Sequence, residues 1–152
     1  MANKWSEDSF YMKTLFEKLC ARIFREKGFE RVTVTGRRGD GGIDGIGVMK
    51  LSLLSFKVLF QCKRYKESVG TDEIRNFKGA MTGTAAKGIF LTTGRFTKAA
   101  KEEAARAGCE EVELIDGSAL CELLKDLGLG IKTREVVIVD DAWFDQYQKD
   151  FN

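Results

Sequence analysis

Six residues, Gly88-Ile89-Phe90-Leu91-Thr92-Thr93, constrain the fold more than any other stretch. They read as a strand with almost no alternation of apolar and polar positions. A strand of that kind is buried on both faces and needs a covering layer on each side. The flanking segments carry helical periodicity, so the pattern predicts an α/β protein with a central mixed β-sheet and helices on both faces. With 152 residues and 43% hydrophobic content the chain can bury one core. No linker, repeat or low-complexity stretch interrupts it, and a single domain over 1–152 is expected.

Taken in order, Ser6 is placed to cap a first helix whose apolar stripe is Met12, Leu15, Phe16, Leu19, Cys20, Ile23 and Phe24. Gly28 is placed to end that helix in a left-handed conformation. Arg31 to Thr35 reads as a strand by β-branching. A glycine-rich basic turn over 36–42 leads to a second strand from Ile43 to about Leu54, in which Gly45 and Gly47 suggest a bulge or a close backbone approach. After a turn near Ser55 comes a third strand, Phe56 to Lys63. Thr71 is the expected cap of a second helix, running to about Gly83, and Thr97 that of a third, Lys98 to Ala107. A strand over 112–115 and a helix capped by Asp116 or Ser118 follow, the latter closed by Gly128. Glu135 to Val139 is expected to be a last strand, and Trp143, Phe144, Tyr147 and Phe151 a docked aromatic tail.

Histidine is absent, which removes Ser-His-Asp and Cys-His nucleophile systems, His-metal nucleases and H-E-x-x-H proteases. Hydrolytic chemistry here has to run on carboxylates, lysines and a hard metal. The four cysteines are scattered without a C-x-x-C pair, and are read as small buried hydrophobes in a reducing cytoplasm rather than as a zinc site. No apolar run approaches the ~20 residues of a membrane span, and the N-terminus has no signal-peptide core, so a cytoplasmic protein with no membrane partner is expected.

Net charge is only +2, but its distribution is uneven. Between Arg31 and Lys66 eight Lys/Arg face two acids, Asp40 and Asp44. From Glu110 onward eleven acids face four bases. The basic block surrounds Gly39-Asp40-Gly41-Gly42-Ile43-Asp44-Gly45 and Phe60-Gln61-Cys62-Lys63. Strand periodicity puts Gln61 and Lys63 on one face at the end of an otherwise apolar strand. An aspartate on the neighbouring strand can meet them there, an arrangement suited to a metal ion and a phosphate. The surrounding positive charge suits a polyanionic substrate.

The order helix–strand–strand–strand–helix–strand, with an acid on the second strand and x-x-Lys on the third, resembles the PD-(D/E)xK restriction endonuclease-like superfamily. The wording of four motifs resembles its Mrr-type catalytic domain more closely. These are Gly39 to Gly45; Phe60-Gln61-Cys62-Lys63-Arg64-Tyr65; Thr93-Gly94-Arg95-Phe96-Thr97; and Leu114-Ile115-Asp116-Gly117 with Leu120. Together they span roughly Leu15 to Leu124. Most of the superfamily carries Asp or Glu where this chain has Gln61, whereas Mrr-type members resemble it in carrying Gln. Mrr-type proteins often bear a separate DNA-reading domain as well, and nothing in this sequence resembles one.

The resemblance implies a restriction endonuclease-like core with C-terminal helix and strand additions, and a Mg²⁺-dependent endonuclease (with Mn²⁺ as a substitute) acting on foreign or modified DNA. Asp44 is then the anchoring carboxylate, Gln61 offers its amide oxygen, and Cys62 its backbone carbonyl. Lys63 orients the attacking water and stabilises the developing charge. Glu17 is the expected supplementary acid, and Asp40 is read as a turn former more readily than a ligand. Arg37, Arg38, Arg64, Lys66, Arg75 and Lys78 are expected phosphate contacts, with Thr92, Thr93 and Arg95 at the same sheet edge. A homodimer is expected for double-strand cleavage, with a further recognition domain or subunit reading the DNA. A repair or Holliday-junction-resolvase-like nuclease, and a non-catalytic DNA-binding module, are the alternatives on this fold.

Overall fold

The computed structural model describes residues 9–35 and 42–148, with the side chains of Ser9, Phe10 and Gln148 left aside. The expected Ser6 cap, most of the basic turn with Arg37, Arg38 and Asp40, and Phe151 lie outside the described residues. Helix α1 (Ser9–Glu26) ends as its sequence requires. Gly28 has φ +89°. Its N–H donates to the Arg25 carbonyl, and the Phe29 N–H to that of Phe24 at 3.0 Å. The rings of Phe24 and Phe29 meet at 5.3 Å. This is a Schellman ending with its apolar contact. Helix α4 (Gly117–Leu127) ends the same way at Gly128 and begins with Asp116 accepting from the Ala119 N–H.

Five strands form the main sheet in the order β1 (Glu30–Val34), β2 (Gly45–Leu51), β3 (Leu54–Lys63), β5 (Lys87–Thr92) and β7 (Glu111–Ile115). The first three are antiparallel, whereas β3, β5 and β7 run parallel. The sheet is therefore mixed, with the apolar strand β5 between two neighbours. A separate parallel pair, too short to show a periodic pattern, joins β4 (Ser68–Val69) to β6 (Arg95–Phe96). Helices α1 and α4 cover one face, through Phe16, Cys20, Ile23, Phe24 and Leu120 packed on Phe60, Cys62 and Leu91. Helices α2 (Thr71–Met81) and α3 (Lys98–Ala104) cover the other, through Ile74, Phe77, Met81, Ala100 and Ala104 packed on Leu59, Phe90 and Val112. Consecutive β3 side chains thus feed opposite half-cores, as the period of two requires.

Several boundaries differ from expectation. The β2–β3 turn lies at Ser52-Leu53, since Leu51 pairs with Leu54. Ser52 takes φ +52°, the positive φ that a type II′ hairpin places at its first central residue. The apolar run Leu51, Leu53, Leu54 concealed the turn, and all three side chains are exposed. Helix α2 is capped by Gly70 rather than Thr71, with the Glu73 carboxylate accepting the Gly70 N–H at 2.9 Å. Residues Glu135 to Val139 form no strand, and Val136 to Val139 are exposed. Trp143, Phe144 and Tyr147 lie on a short helix, α5 (Asp141–Gln148), where Trp143 packs on the other two rings while all three stay about half exposed. Cys20 and Cys62 are buried as expected, but Cys109 and Cys121 are exposed. Among the described residues no helix is long and apolar enough to cross a membrane.

Gly45 shows why the glycine-rich motif is rigid at its end. A Cβ there would run into the Phe60 ring and the Thr33 carbonyl. The ring is locked against Phe24 at 4.6 Å, and the carbonyl is backbone, so neither yields cheaply. Gly45→Ala is expected to destabilise the fold by about 1–3 kcal/mol as an overpacking change. Urea unfolding of the two proteins measures it, and an unchanged midpoint would contradict the packing described.

Candidate active site

β3 extends past the start of β2, and that offset creates the site. The last pair of the ladder is Gly45 with Phe60. Just before it, the Asp44 N–H donates to the Phe60 carbonyl at 2.9 Å, and the Asp44 carbonyl accepts from the Thr35 N–H at 2.8 Å. Beyond that point the Cys62 N–H meets no β2 carbonyl. It donates instead to Oδ2 of Asp44, at 2.7 Å. Asp44 is thus tied to β1 and β3 by its backbone and to β3 again by its side chain, and it is buried. The sequence placed it on the second strand; it stands immediately before it.

Glu17 turns inward from α1 and is also buried. The Lys13 ammonium, one helical turn earlier, lies 3.4 Å from Glu17 and 3.8 Å from Oδ1 of Asp44. Asp44 and Glu17 therefore meet across the Lys13 ammonium. Both also act on the Cys62 thiol: burial and the neighbouring Cys20 raise its pKa well above the usual value, and the two carboxylates add to that. Cys62 stays a neutral thiol and contributes its backbone rather than a nucleophile.

Gln61 and Lys63 share the opposite face of β3, towards α2. The Gln61 amide oxygen is buried and meets no hydrogen-bond donor among the described residues. Gly42, at φ +87°, closes over that amide; a Cβ there would stand 2.5 Å from its nitrogen. A buried acceptor left open in this way is unfavourable unless something electropositive satisfies it. Lys63 is held on two sides, at 2.8 Å from Glu73 of α2 and 4.7 Å from the centre of the Tyr65 ring. The Thr93 hydroxyl in turn clamps Tyr65, accepting from its N–H and donating to its carbonyl, each at 2.9 Å.

Two clefts share Gly42, Gln61 and Lys63 as a common wall. One is completed by Lys13, Asp44, Cys62, Arg64 and Tyr65, the other by Glu73, Arg75, Asn76 and Gly79. Among the described residues no three His, Cys, Asp or Glu side chains cluster as a metal site. The donor set is different in kind: Asp44, the open amide oxygen of Gln61, the backbone of Cys62, and Glu17 near by. All-oxygen donors of mixed charge fit a hard dication such as Mg²⁺ and fit zinc poorly.

Of the expected phosphate contacts, Arg64, Lys66 and Arg95 are exposed. Arg75 is more than half exposed and reaches towards Asp72 and Glu103, each at 3.5 Å. The Thr93 hydroxyl is engaged by Tyr65, and Thr92 is buried. Lys78 requires correction. It is buried, and its ammonium donates to the Glu103 carbonyl at 2.6 Å, joining α2 to α3. It cannot reach a phosphate in this arrangement. Glu73 and Lys13 were missed. Both are ordinary surface-type residues by sequence, although Glu73 stands at the third helical position, where a carboxylate caps a helix.

The Lys63 ammonium, helped by the Gly70 N–H, holds the Glu73 carboxyl below the usual glutamate range. A carboxyl depressed in the folded state lends stability that is present above its unfolded value of about 4.3 and lost as pH falls through the folded value. Glu73→Gln is therefore expected to lower stability at pH 7 by about 0.5 kcal/mol, as befits a partly exposed pair. That gap should close as the pH is lowered below about 4. Urea unfolding of both proteins across pH measures this, and a gap independent of pH would show that the carboxylate charge does not hold Lys63.

Comparison with known proteins supplies the lineage. The restriction-endonuclease family Mrr_cat matches residues 12–124. The type IV methyl-directed restriction enzyme EcoKMrr of Escherichia coli K12 is 42% identical over 101 residues, covering 65% of this chain and 32% of the enzyme. An uncharacterized mitochondrial protein of Schizosaccharomyces pombe is 33% identical over 89 residues, covering 55% of this chain and 36% of that protein. The chain thus spans about a third of the length of these curated relatives. Among solved structures, the DNA modification-dependent restriction endonuclease AspBHI superposes with a TM-score of 0.65 over 97% of this chain and 37% of its own, at 21% identity, a likeness of fold alone. The MspJI restriction endonuclease, solved with a 27-mer oligonucleotide, gives 0.59 over 80% of this chain and 28% of its own, at 27% identity. A family match across most of the chain, on a mixed sheet with helices on both faces, makes this protein a member of the Mrr-type restriction endonuclease family with a PD-(D/E)xK-like core.

Proposed function

We propose that this chain is a Mg²⁺-dependent endodeoxyribonuclease, a single nuclease domain acting in restriction of foreign or modified DNA. The observation that carries the proposal is the buried Gln61 oxygen, without a donor among the described residues, on the same cleft as Asp44 and Lys63. That oxygen and the Asp44 carboxylate would together hold a hard dication. When bound it polarises the scissile phosphate and lowers the pKa of an attacking water. Asp44 anchors it, Gln61 and the Cys62 carbonyl complete the neutral part of the donor set, and Glu17 supplies the second negative charge. Asp40 remains a less favoured ligand.

Lys63 has its own task. Its ammonium, steadied by Glu73 and Tyr65, donates hydrogen bonds to the attacking water and to the charge developing on the phosphoryl oxygens. Arg64, Lys66 and Arg95, with Arg37 and Arg38, bind flanking phosphates and set register without reading sequence. EcoKMrr is named a methyl-directed restriction enzyme, and that relationship supports modified DNA as the substrate class. Cutting both strands calls for two such sites, hence a homodimer, and base reading calls for a further domain or subunit.

Lys63→Ala and Asp44→Asn are expected to reduce Mg²⁺-dependent cleavage by about 10²–10³-fold, the scale of losing one transition-state donor or its anchor. Asparagine keeps an oxygen for the Cys62 N–H, so the fold should survive and the loss can be read as chemistry. Methylated plasmid, unmethylated plasmid and a four-way junction serve as substrates. Undiminished cleavage by a folded Lys63→Ala protein overturns the assignment, and preference for the junction favours a resolvase-like role.

A further inference from the structure

Lys13 has no part in the chemistry set out above, yet it lines the cleft formed by Asp44, Gln61 and Lys63. We infer that Lys13 is a resident counter-cation of the Asp44–Glu17 pair, which a divalent ion must displace in order to bind. The inference rests on the proposed reading of Asp44 as a metal anchor.

Geometry makes the two cations exclusive. Oδ2 of Asp44 is engaged by the Cys62 N–H, and Oδ1 is the oxygen that faces the Lys13 ammonium. The same ammonium faces Oε1 of Glu17. A dication held by Asp44 and Glu17 would need the space that the ammonium fills. Burial says which partner moves. The Glu17 and Asp44 side chains are 9% and 12% exposed, whereas that of Lys13 is 59% exposed, on a four-carbon stem. The carboxylates are fixed and the ammonium is not.

The strength of the contacts agrees with displacement. Distances of 3.4 and 3.8 Å exceed the 2.7–3.2 Å typical of an N–H···O hydrogen bond, so the attraction is mainly electrostatic. Spacing of i and i+4 on α1 keeps the Lys13 stem within reach of Glu17, so the ammonium returns when the cleft holds no metal ion. The lysine therefore offsets the like charges of two buried carboxylates, and in doing so lowers the apparent affinity for a metal ion. Once displaced, its charge stays on the cleft that it lines together with Arg64.

Calorimetric titration of Mn²⁺ into the DNA-free protein tests this, comparing wild type, Lys13→Met, Lys13→Arg and Asp44→Asn. Lys13→Met should bind Mn²⁺ at least ten-fold more tightly than wild type, and Lys13→Arg should stay close to wild type. In EDTA the Lys13→Met protein should melt below wild type, and Mn²⁺ should raise its Tm by the larger amount. Equal or weaker Mn²⁺ binding by Lys13→Met, with Asp44-dependent binding intact in wild type, overturns this inference alone. Absence of Asp44-dependent binding in every protein overturns both it and the metal site proposed above.

Discussion

One hydrogen bond organises the candidate site: the Cys62 N–H donating to the Asp44 carboxylate at 2.7 Å. It exists because β3 outruns β2 and leaves a backbone donor without a strand partner. A buried N–H in that position has to be satisfied, and the side chain that satisfies it is thereby fixed in place. Everything else in the site is arranged about that fixed carboxylate. Glu17 and Lys13 reach it from the helix on one face of the sheet, while Gln61 and Lys63 project towards the other face and meet Glu73. The site is where the two half-cores come closest to sharing a set of polar groups.

Much of this was legible in the sequence. The apolar pattern of Gly88 to Thr93 required cover on both faces and received it. Period-two reading of β3 separated Phe60 and Cys62 from Gln61 and Lys63 correctly, since a pleated strand admits no other assignment. Glycine endings at Gly28 and Gly128 and the caps at Thr97 and Asp116 followed from local chemistry that tertiary structure did not override. Glu17 lies beside the apolar stripe of α1, and the ammonium that it shares with Asp44 shows which way its side chain turns.

The misses share a cause, which is that a residue's type was read and its neighbours were not visible. Lys78 looked like a phosphate contact because it is a lysine near a basic segment. Its spacing with Ile74, Phe77 and Met81 nevertheless places it in the buried stripe of α2, and its stem and ammonium fit there because the Glu103 carbonyl accepts from it. Glu73 is separated from Lys63 by ten residues and a turn, and only the fold brings them together. Glu135 to Val139 has the composition of a strand, but composition cannot supply a partner strand to pair with.

That last segment has a consequence for handling and for evolution alike. Val136-Val137-Ile138-Val139 is a run of β-branched residues, uncharged, without proline, and open to solvent. Such a run is the kind of sequence that stacks with copies of itself into extended sheets. Arg134 and Glu135 stand before it, and Asp140 and Asp141 after it. Charges so placed act as gatekeepers, since stacking chains in register would bring like charges together at every layer. Neutralising Asp140 and Asp141 would remove the protection while leaving the folded core untouched.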